Sequence, residues 1–352
     1  MIFTDIRLQN YRSYDEASFE LGRGVNIVMG PNAAGKTNLL EALMVAAVGK
    51  SYRARDHLLV RNGSSWLRLD VHTNDNQTRV VKVVKDAAEK PTKTFEIDEK
   101  VYKRLPLQLK QPVVLFQPDD LRLLHGEPQQ RRDYIDDLLE QLVPGYQSLR
   151  VNLRRVVAQR NALLKQPSVS QSQLFAWNLR LCDVASQVVA KRHELISQFN
   201  QQISETYSAI SGKNTSLSIV YTSKTPIETY SATLMKQLDA QLELDRRRGF
   251  TSRGPHRDDM LVYFDEELLS NTASRGENRT FMLSLKVLEL AILEASSGKR
   301  PLLLLDDVFS ELDGARRKAL TNYLSDYQTL ITTTDADVIA KSFTENSNLI
   351  II

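Results

Sequence analysis

A glycine-rich turn around a lysine is the first stretch whose residue types and spacing could do chemistry. The sequence GPNAAGKTNLLEAL follows the apolar run VNIVM and matches the phosphate-binding pattern G-x-x-x-x-G-K-[ST]. Gly30 and Gly35 let backbone N–H groups wrap phosphate oxygens where a side chain would clash. Lys36 places a point charge on the β- and γ-phosphates, and the Thr37 hydroxyl is suited to Mg²⁺. The pattern predicts a nucleotide site formed by Gly30, Pro31, Asn32, Ala33, Ala34, Gly35, Lys36, Thr37 and Asn38.

A second apolar run ends in carboxylates. In PLLLLDDVFSELD, four consecutive leucines are typical of a central parallel strand, and ligands of such sheets bind at the carboxyl ends of the strands. We expect Asp306 to hold Mg²⁺ through water and Asp307 to orient or deprotonate an attacking water. The alternative is a strand end with solvated acidic residues.

A serine-capped helix lies between these two stretches. The sequence SNTASRGENRTFMLSLKVLELAIL predicts an amphipathic helix from about 275 to 297, opened by Ser274 and Gly276. The serine hydroxyl and the free N–H groups of the first turn could face an anion. Taken alone, S-x-G-E is a common N-cap with an acidic first turn. Its place shortly before the acidic strand favours the anion site.

The elements that must position these residues come from both ends of the chain. Short β-like runs fill the first 125 residues, and the pattern is helical from about 128 to 212, with two amphipathic helices joined by a polar loop. That arrangement indicates an antiparallel helical hairpin. After 250 the chain returns to mixed α/β. We therefore predict an α/β head from 1–127 and 250–352, interrupted by a mainly helical lobe at 128–249.

Composition excludes several classes of protein. Hydrophobic residues at 42% and charged residues at 25% are ordinary globular values, and the net charge of +3 excludes a uniformly basic coat for nucleic acid. The single cysteine, Cys182, fits a reducing compartment, and five scattered histidines do not support a zinc site. No signal peptide and no apolar run long enough to span a bilayer is evident. We expect a soluble intracellular protein.

The order of these motifs resembles the ATP-binding cassette superfamily. The long gap between Lys36 and Ser274 is more similar to the SMC/Rad50 branch, whose ATPase head is split by an inserted helical hairpin. Within that branch the chain resembles the RecF family of DNA replication and repair proteins, essentially from end to end. Further stretches that carry this resemblance are NYRSY, GKSYRARDHLLVRNG, VVLFQPDDLRLLHGEPQQRRDYID and GPHRDDM. It implies a Rad50-like P-loop ATPase head with an inserted, mainly α-helical second lobe.

The resemblance also implies a mechanism in which two heads pair face to face around two ATP molecules. Ser274, Gly276 and Glu277 of one head would complete the γ-phosphate site of the other. Gln117 would sense Mg²⁺ and water, and Arg12 would approach the nucleotide unless it is a surface arginine. The implied catalytic residues are Asp307, Lys36 and Gln117, and the implied Mg²⁺ residues are Thr37, Asp306 and Gln117.

The sequence departs from related patterns at three places. Glu277–Asn278–Arg279 stands where the family often has glutamines. Asp307 agrees with the family, but transporters have the longer glutamate there, so we expect slow hydrolysis. The switch histidine of transporters is absent from LITTTD, and Thr333 or Thr334 is the candidate replacement.

The resemblance implies ATP-coupled binding to double-stranded DNA next to single-stranded gaps, with partnership with RecR and, indirectly, RecO and RecA. It implies a cytoplasmic, nucleoid-associated protein of the SOS response with a weak DNA-stimulated ATPase. The basic residues that we consider first for DNA are Lys50, Arg53, Arg55, Arg131 and Arg132, followed by Arg154, Arg155, Arg246, Arg247 and Arg248. Each cluster has the alternative of a solvated face or an ion pair. For His256 in GPHRDD, a structural turn is the favoured interpretation.

Two other classes compete with this interpretation. A related ATPase head with a nuclease, of the overcoming-lysogenisation type, needs an acidic metal-binding nuclease domain, which the sequence offers no segment to form. A transporter ATPase subunit would use the helical middle to contact a membrane domain. The missing switch histidine and the split head argue against the transporter.

Overall fold

The computed structural model describes residues 1–166, 168, 170–309, 312–324, 326–334 and 347–352. These residues divide into two compact units. Unit 1 combines Met1–Leu121 with Met282–Ile352, and unit 2 is Arg122–Phe281. A head built from both chain ends around an insertion is therefore observed.

The strands and helices follow one another along the chain with short connections. The strands are β1 (Phe3–Tyr11), β2 (Tyr14–Glu20), β3 (Val25–Met29), β4 (Trp66–Thr73), β5 (Thr78–Lys85), β6 (Pro91–Ile97), β7 (Lys100–Tyr102), β8 (Val113–Phe116), β9 (Leu217–Thr222), β10 (Asp259–Phe264), β11 (Glu267–Leu268), β12 (Leu302–Asp306), β13 (Thr329–Thr333) and β14 (Asn348–Ile351). The helices are α1 (Lys36–Val48), α2 (Pro128–Leu142), α3 (Tyr146–Leu164), α4 (Gln171–Ser211), α5 (Tyr230–Ala240), α6 (Leu242–Arg248), α7 (Leu269–Thr272), α8 (Arg275–Ser297) and α9 (Gly314–Leu324).

A parallel sheet in unit 1 brings the predicted nucleotide residues to one edge. Its strand order is β14-β3-β13-β12-β8, and each neighbouring pair is parallel. The sequences VNIVM, LLLLD and TLITT are almost wholly buried, as expected for strands covered on both faces. In register, Asp306 lies beside Thr332, and Leu305 lies beside Phe116. The phosphate loop, the acidic strand end and Gln117 therefore leave the sheet at the same edge.

Helix α1 packs between this sheet and a second one. The second sheet is antiparallel, with the order β2-β1-β4-β5-β6-β7, and α1 contacts strands of both sheets. Almost every side chain from Leu39 to Val48 is buried, which explains why the helix is apolar all round rather than on one stripe. The hydrophobic core of unit 1 is built around this helix.

Unit 2 holds the predicted helical pair, in which α3 packs on α4, together with a small antiparallel sheet in the order β11-β10-β9. Its boundaries correct the predicted lobe at 128–249. The first lies at 121/122, and the second lies at 281/282 instead of 249/250. The reason is that β10 pairs along its whole length with β9, so the MLVYFD strand belongs to the insertion. No helix in the described ranges is long and apolar enough to cross a membrane.

Candidate functional site

The phosphate loop requires both of its glycines for reasons of space and backbone conformation. Gly35 has a φ of 116°, and a Cβ there would lie 2.7 Å from the hydroxyl oxygen of Tyr14. A Cβ on Gly30 would lie 2.5 Å from the carbonyl oxygen of Ile352. The Tyr14 hydroxyl also donates to the carbonyl of Gly35 at 3.1 Å, which fixes the end of the loop against β2. The loop therefore enters α1 with its backbone closely held on both sides.

Lys36 is the first residue of α1 and lies across the loop. Its ammonium group donates to the carbonyl oxygens of Gly30 at 2.7 Å and Pro31 at 2.9 Å. The side chain is largely buried, so its charge is concentrated inside the turn. A phosphate that enters the loop meets this ammonium group, the N–H groups of the first helical turn and the positive end of the helix dipole.

The acidic strand end faces Thr37. The Thr37 hydroxyl donates to Asp306 Oδ1 at 3.0 Å, and the Thr332 hydroxyl donates to the same oxygen at 2.8 Å. The backbone N–H of Asp307 in turn donates to Thr332 Oγ1 at 2.9 Å. Hydroxyl and carboxylate oxygens are the ligands that Mg²⁺ prefers. The donor set formed by Thr37 and Asp306 therefore fits the predicted magnesium site.

Two tyrosines beside the loop are held neutral. Burial raises the pKa of Tyr14 to about 12. Burial also raises the pKa of Tyr52, and the Asp306 carboxylate raises it further. Neither phenol therefore competes with Asp306 or Asp307 as an anionic group near neutral pH.

A fully buried carboxylate on α1 gathers two arginines, and we call this group the Glu41 cluster: Glu41, Arg12, Arg53 and Ser51. Arg12 donates two hydrogen bonds to Glu41 at 2.8 Å each, Arg53 donates one at 3.0 Å, and the Ser51 hydroxyl donates one at 2.5 Å. Burial alone raises the pKa of Glu41, but the hydrogen bonds from Arg12, Ser51 and Arg53 outweigh it and hold that pKa below its usual range. Arg12 is thus fixed one helical turn from Thr37.

Gln117 directly follows β8, next to the acidic strand end. Its backbone N–H donates to Asp120 Oδ2 at 3.0 Å, and the N–H of Asp120 donates back to the Gln117 carbonyl at 3.0 Å. The ammonium of Lys286 lies 3.5 Å from Asp120 and 3.2 Å from Glu289. These contacts fix the backbone at Gln117, while its role toward Mg²⁺ and water stays a prediction.

In unit 2, Ser274 and Glu277 form a reciprocal cap on α8. The Ser274 hydroxyl and backbone N–H donate to Glu277 Oε2 at 2.8 and 2.9 Å, and the Glu277 N–H donates to Ser274 Oγ at 3.3 Å. These bonds from Ser274 lower the pKa of Glu277. The Gly276 carbonyl accepts from the Thr280 hydroxyl at 3.0 Å. The observed cap is the bland alternative for S-x-G-E, and it leaves the anion role of this turn as a prediction.

The structure corrects one of the DNA candidates. Arg131 is only 8% exposed, and its guanidinium forms a two-point ion pair with Asp259 at 2.7 and 2.8 Å. A guanidinium held in this way is not available to a DNA phosphate. Arg53 is similarly engaged by Glu41, and Arg132 donates to the Asp258 carbonyl at 2.6 Å. Lys50 is partly buried, and Arg55 is exposed.

Thr332 is the functional threonine that sequence reasoning missed. Thr333 is buried at the end of β13 and Thr334 is exposed, whereas Thr332 contacts Asp306 and Asp307 directly. The signal was the predicted strand YQTLITTT itself, because its pairing with the acidic strand places one threonine beside each carboxylate. Ser310 and Glu311 of the SELD stretch lie outside the described residues.

The split head, the phosphate loop and the acidic strand end together define a P-loop ATPase head of the ABC type. Residues 2–350 match the family described as the RecF/RecN/SMC N terminal domain. A relative from Agathobacter rectalis, named DNA replication and repair protein RecF, is 34% identical, and the match covers 97% of this chain and 94% of the relative. A relative of the same name from Acidothermus cellulolyticus is 33% identical over 96% of this chain and 94% of its own length.

Solved structures agree with these relatives. A structure of the recombination mediator protein RecF-ATP in the RecFOR pathway superposes with a TM-score of 0.85 at 27% identity, covering 95% of this chain and 92% of the other. An SMC head bound to the C-winged helix domain of ScpA shares the fold, with a TM-score of 0.54 at 13% identity over 97% and 92% of the two chains. The chain belongs to the RecF family.

Proposed function

We propose that this chain is an ATP-dependent DNA-binding protein of recombinational repair and replication-fork maintenance, acting in the bacterial cytoplasm at the nucleoid. The observation that carries the proposal is the phosphate loop with Lys36, next to the contact of Thr37 with Asp306. Support comes from relatives named for DNA replication and repair and from a related structure described with ATP.

Each part of the loop has a role toward ATP. The backbone N–H groups of residues 30–38 and the start of α1 bind the phosphates, and Lys36 turns from the loop carbonyls to the β- and γ-phosphates. Thr37 and Asp306 hold Mg²⁺, with Gln117 close by; the bound ion neutralises charge between the β- and γ-phosphates. Asp307 orients the attacking water. Because an aspartate reaches less far than a glutamate, hydrolysis is slow.

The hydrolysis cycle serves as a switch for dimerisation. Two heads pair around two ATP molecules, and Ser274, Gly276 and Glu277 of each head contact the γ-phosphate bound by the other. The serine hydroxyl is exposed enough to exchange its bond with Glu277 for one with a phosphate oxygen. The paired heads bind double-stranded DNA near single-stranded gaps, and slow hydrolysis releases them. RecR is the proposed direct partner, with RecO and RecA reached through it.

Analytical ultracentrifugation with ADP, ATP and a slowly hydrolysed ATP analogue tests this switch. We expect a dimer only with triphosphate, lost in Lys36→Met because the phosphates are no longer held and in Ser274→Arg because the contact across the interface is blocked. Ser231→Arg, which changes an exposed serine on α5 in the same unit, is the matched control. A Ser274→Arg protein that dimerises like wild type refutes the head-to-head arrangement, and a wild-type chain that does not bind ATP refutes the proposed function.

A further inference from the structure

A basic segment of unit 2 is not used by the ATP site. We call residues 246–257, RRRGFTSRGPHR, the basic segment; it contains five arginines, one histidine and no carboxylate. The acidic residues on its two sides are committed to the interior of unit 2. Asp245 pairs with Arg160 at 2.8 Å, and Asp258 accepts from the Tyr221 hydroxyl at 2.8 Å. Neither flanking carboxylate is thus available to neutralise the segment.

The fold holds the second half of the segment in a defined shape. Gly254 has a φ of 122°, which reverses the chain. His256 Nε2 lies 3.1 Å from the carbonyl oxygen of Thr251, and Arg257 Nε donates to the same oxygen at 3.3 Å. The Arg257 guanidinium also lies over the ring of Phe250, 4.7 Å from its centre. The cationic groups are therefore held in place by backbone and aromatic contacts.

Cations are packed against cations here. Burial lowers the pKa of His256 to about 4, and Arg257, Arg132 and Arg160 lower it in the same direction. Burial and Arg192 lower the pKa of Arg132, against the opposing effect of Asp259 and Asp133. A fold that keeps like charges together without matching carboxylates is prepared for an external anion.

Several donors at this place have no acceptor. The Nε atoms of Arg132 and Arg253 and the Nδ1 atom of His256 are buried, and none has a hydrogen-bond partner among the described residues. Leaving such a group unsatisfied costs about 1–3 kcal/mol, which an oxygen of a bound anion would recover. Within the same part of the chain, Arg247, Arg248, Arg253 and Arg257 form no ion pair, whereas Arg246 contacts Glu243 at 3.5 Å.

We propose that the basic segment, together with Arg132, binds the phosphodiester backbone of double-stranded DNA. Guanidinium groups suit this role because their donors match phosphate oxygens in pairs, and backbone contacts need no base readout. The other basic clusters fit less well, since Arg53 and Arg131 are held by carboxylates of their own units. The inference rests on the proposed function and assigns to it a contact surface on unit 2.

Fluorescence anisotropy with a labelled DNA duplex, at several salt concentrations and with ATP present, tests the assignment. Each lost phosphate contact lowers the slope of log K against log salt by roughly 0.9, so Arg253→Gln/Arg257→Gln is expected to lower it by roughly 2 and to weaken binding on the order of 10- to 100-fold near physiological salt. We expect Arg247→Gln/Arg248→Gln, at the exposed end of α6, to act in the same direction. Arg180→Gln/Lys236→Gln removes the same charge from exposed positions of unit 2 and is expected to keep the wild-type slope.

Further measurements separate this inference from simpler explanations. Arg253→Lys/Arg257→Lys is expected to retain most of the slope, which a purely structural role for these side chains would not produce. Binding of a fluorescent ATP analogue is expected to be unchanged in the glutamine variants. If they lose ATP binding instead of DNA binding, or if both keep the wild-type slope, the inference is overturned while the proposed function stands. If wild type itself does not bind duplex, the DNA part of the proposed function fails first.

Discussion

Replacing Glu41 by glutamine tests how the phosphate loop is supported from behind. The carboxylate is fully buried and accepts four hydrogen bonds from Arg12, Arg53 and Ser51. Glutamine keeps the shape, but it removes the charge and turns one acceptor into a donor that faces guanidinium donors. Breaking a buried ion pair by removing one partner costs about 3–5 kcal/mol.

Partial exposure of the arginines sets the expected magnitude. The side chains of Arg12 and Arg53 are 22% and 35% exposed, so water recovers part of their solvation once Glu41 is neutral. We therefore expect Glu41→Gln to lower the free energy of unfolding by about 3 kcal/mol, at the lower end of that range. For a unit of this size the melting temperature should fall by about 6–12 °C. ATP binding should weaken too, because Arg53 also donates to Asn38 of the loop.

The pH dependence provides an independent check on the same cluster. Because the folded pKa of Glu41 lies below its usual range, its contribution to stability is present at neutral pH and is lost as the pH falls through that lowered value. The difference between wild type and Glu41→Gln, measured by urea denaturation, should therefore shrink in acid. Glu194→Gln, which alters an exposed pair with Lys191, is the control and should cost less than about 1 kcal/mol. Equal melting of Glu41→Gln and wild type, or a deficit that stays constant with pH, refutes this reasoning.

Three further substitutions probe other contacts of the site. Thr332→Val removes a donor to Asp306, so stability should fall by about 2 kcal/mol and hydrolysis should slow, with Thr332→Ser as the control; normal turnover by the valine variant would contradict the assigned role. Gly35→Ala should abolish nucleotide binding by equilibrium dialysis, because its Cβ would lie 2.7 Å from the nearest side-chain oxygen; retained affinity would mean that the loop adapts. Glu277→Ala should cost about 1 kcal/mol in thermal melts by removing the Ser274 cap, and an unchanged melt would argue against that cap.

The local patterns in the sequence were sufficient for the elements of the head. The helix predicted from about 275 to 297 is observed at Arg275–Ser297, and the strands expected in VNIVM, LLLLD and YQTLITTT form the parallel sheet. These elements have strong apolar runs or helical spacing, which act over a few residues. Strand β2, with the polar sequence YDEASFE, was not predicted because only its pairing with β1 defines it.

The parts of the site that sequence reasoning missed depend on residues far apart in the chain. Nothing near Arg12 indicates that its partner is Glu41, and nothing near Arg131 indicates Asp259. Thr332 was passed over for its neighbours because register, not residue type, decides which threonine meets Asp306. Spacing along the chain identified the phosphate loop, while side-chain partners formed by tertiary packing required the structure.

The order of synthesis has a consequence for a head made from both chain ends. The antiparallel sheet lies within the first 102 residues and can form early, but β3 pairs only with β13 and β14, from Val25 to Thr329 and from Asn26 to Asn348. At about 5–20 residues per second, β3 and the apolar helix α1 wait roughly 15–60 s on the ribosome for these strands. Unit 2, which is continuous, can fold during that interval. We therefore expect nascent chains halted before β12 to be bound by chaperones through α1, and release of the finished protein to coincide with closure of the parallel sheet.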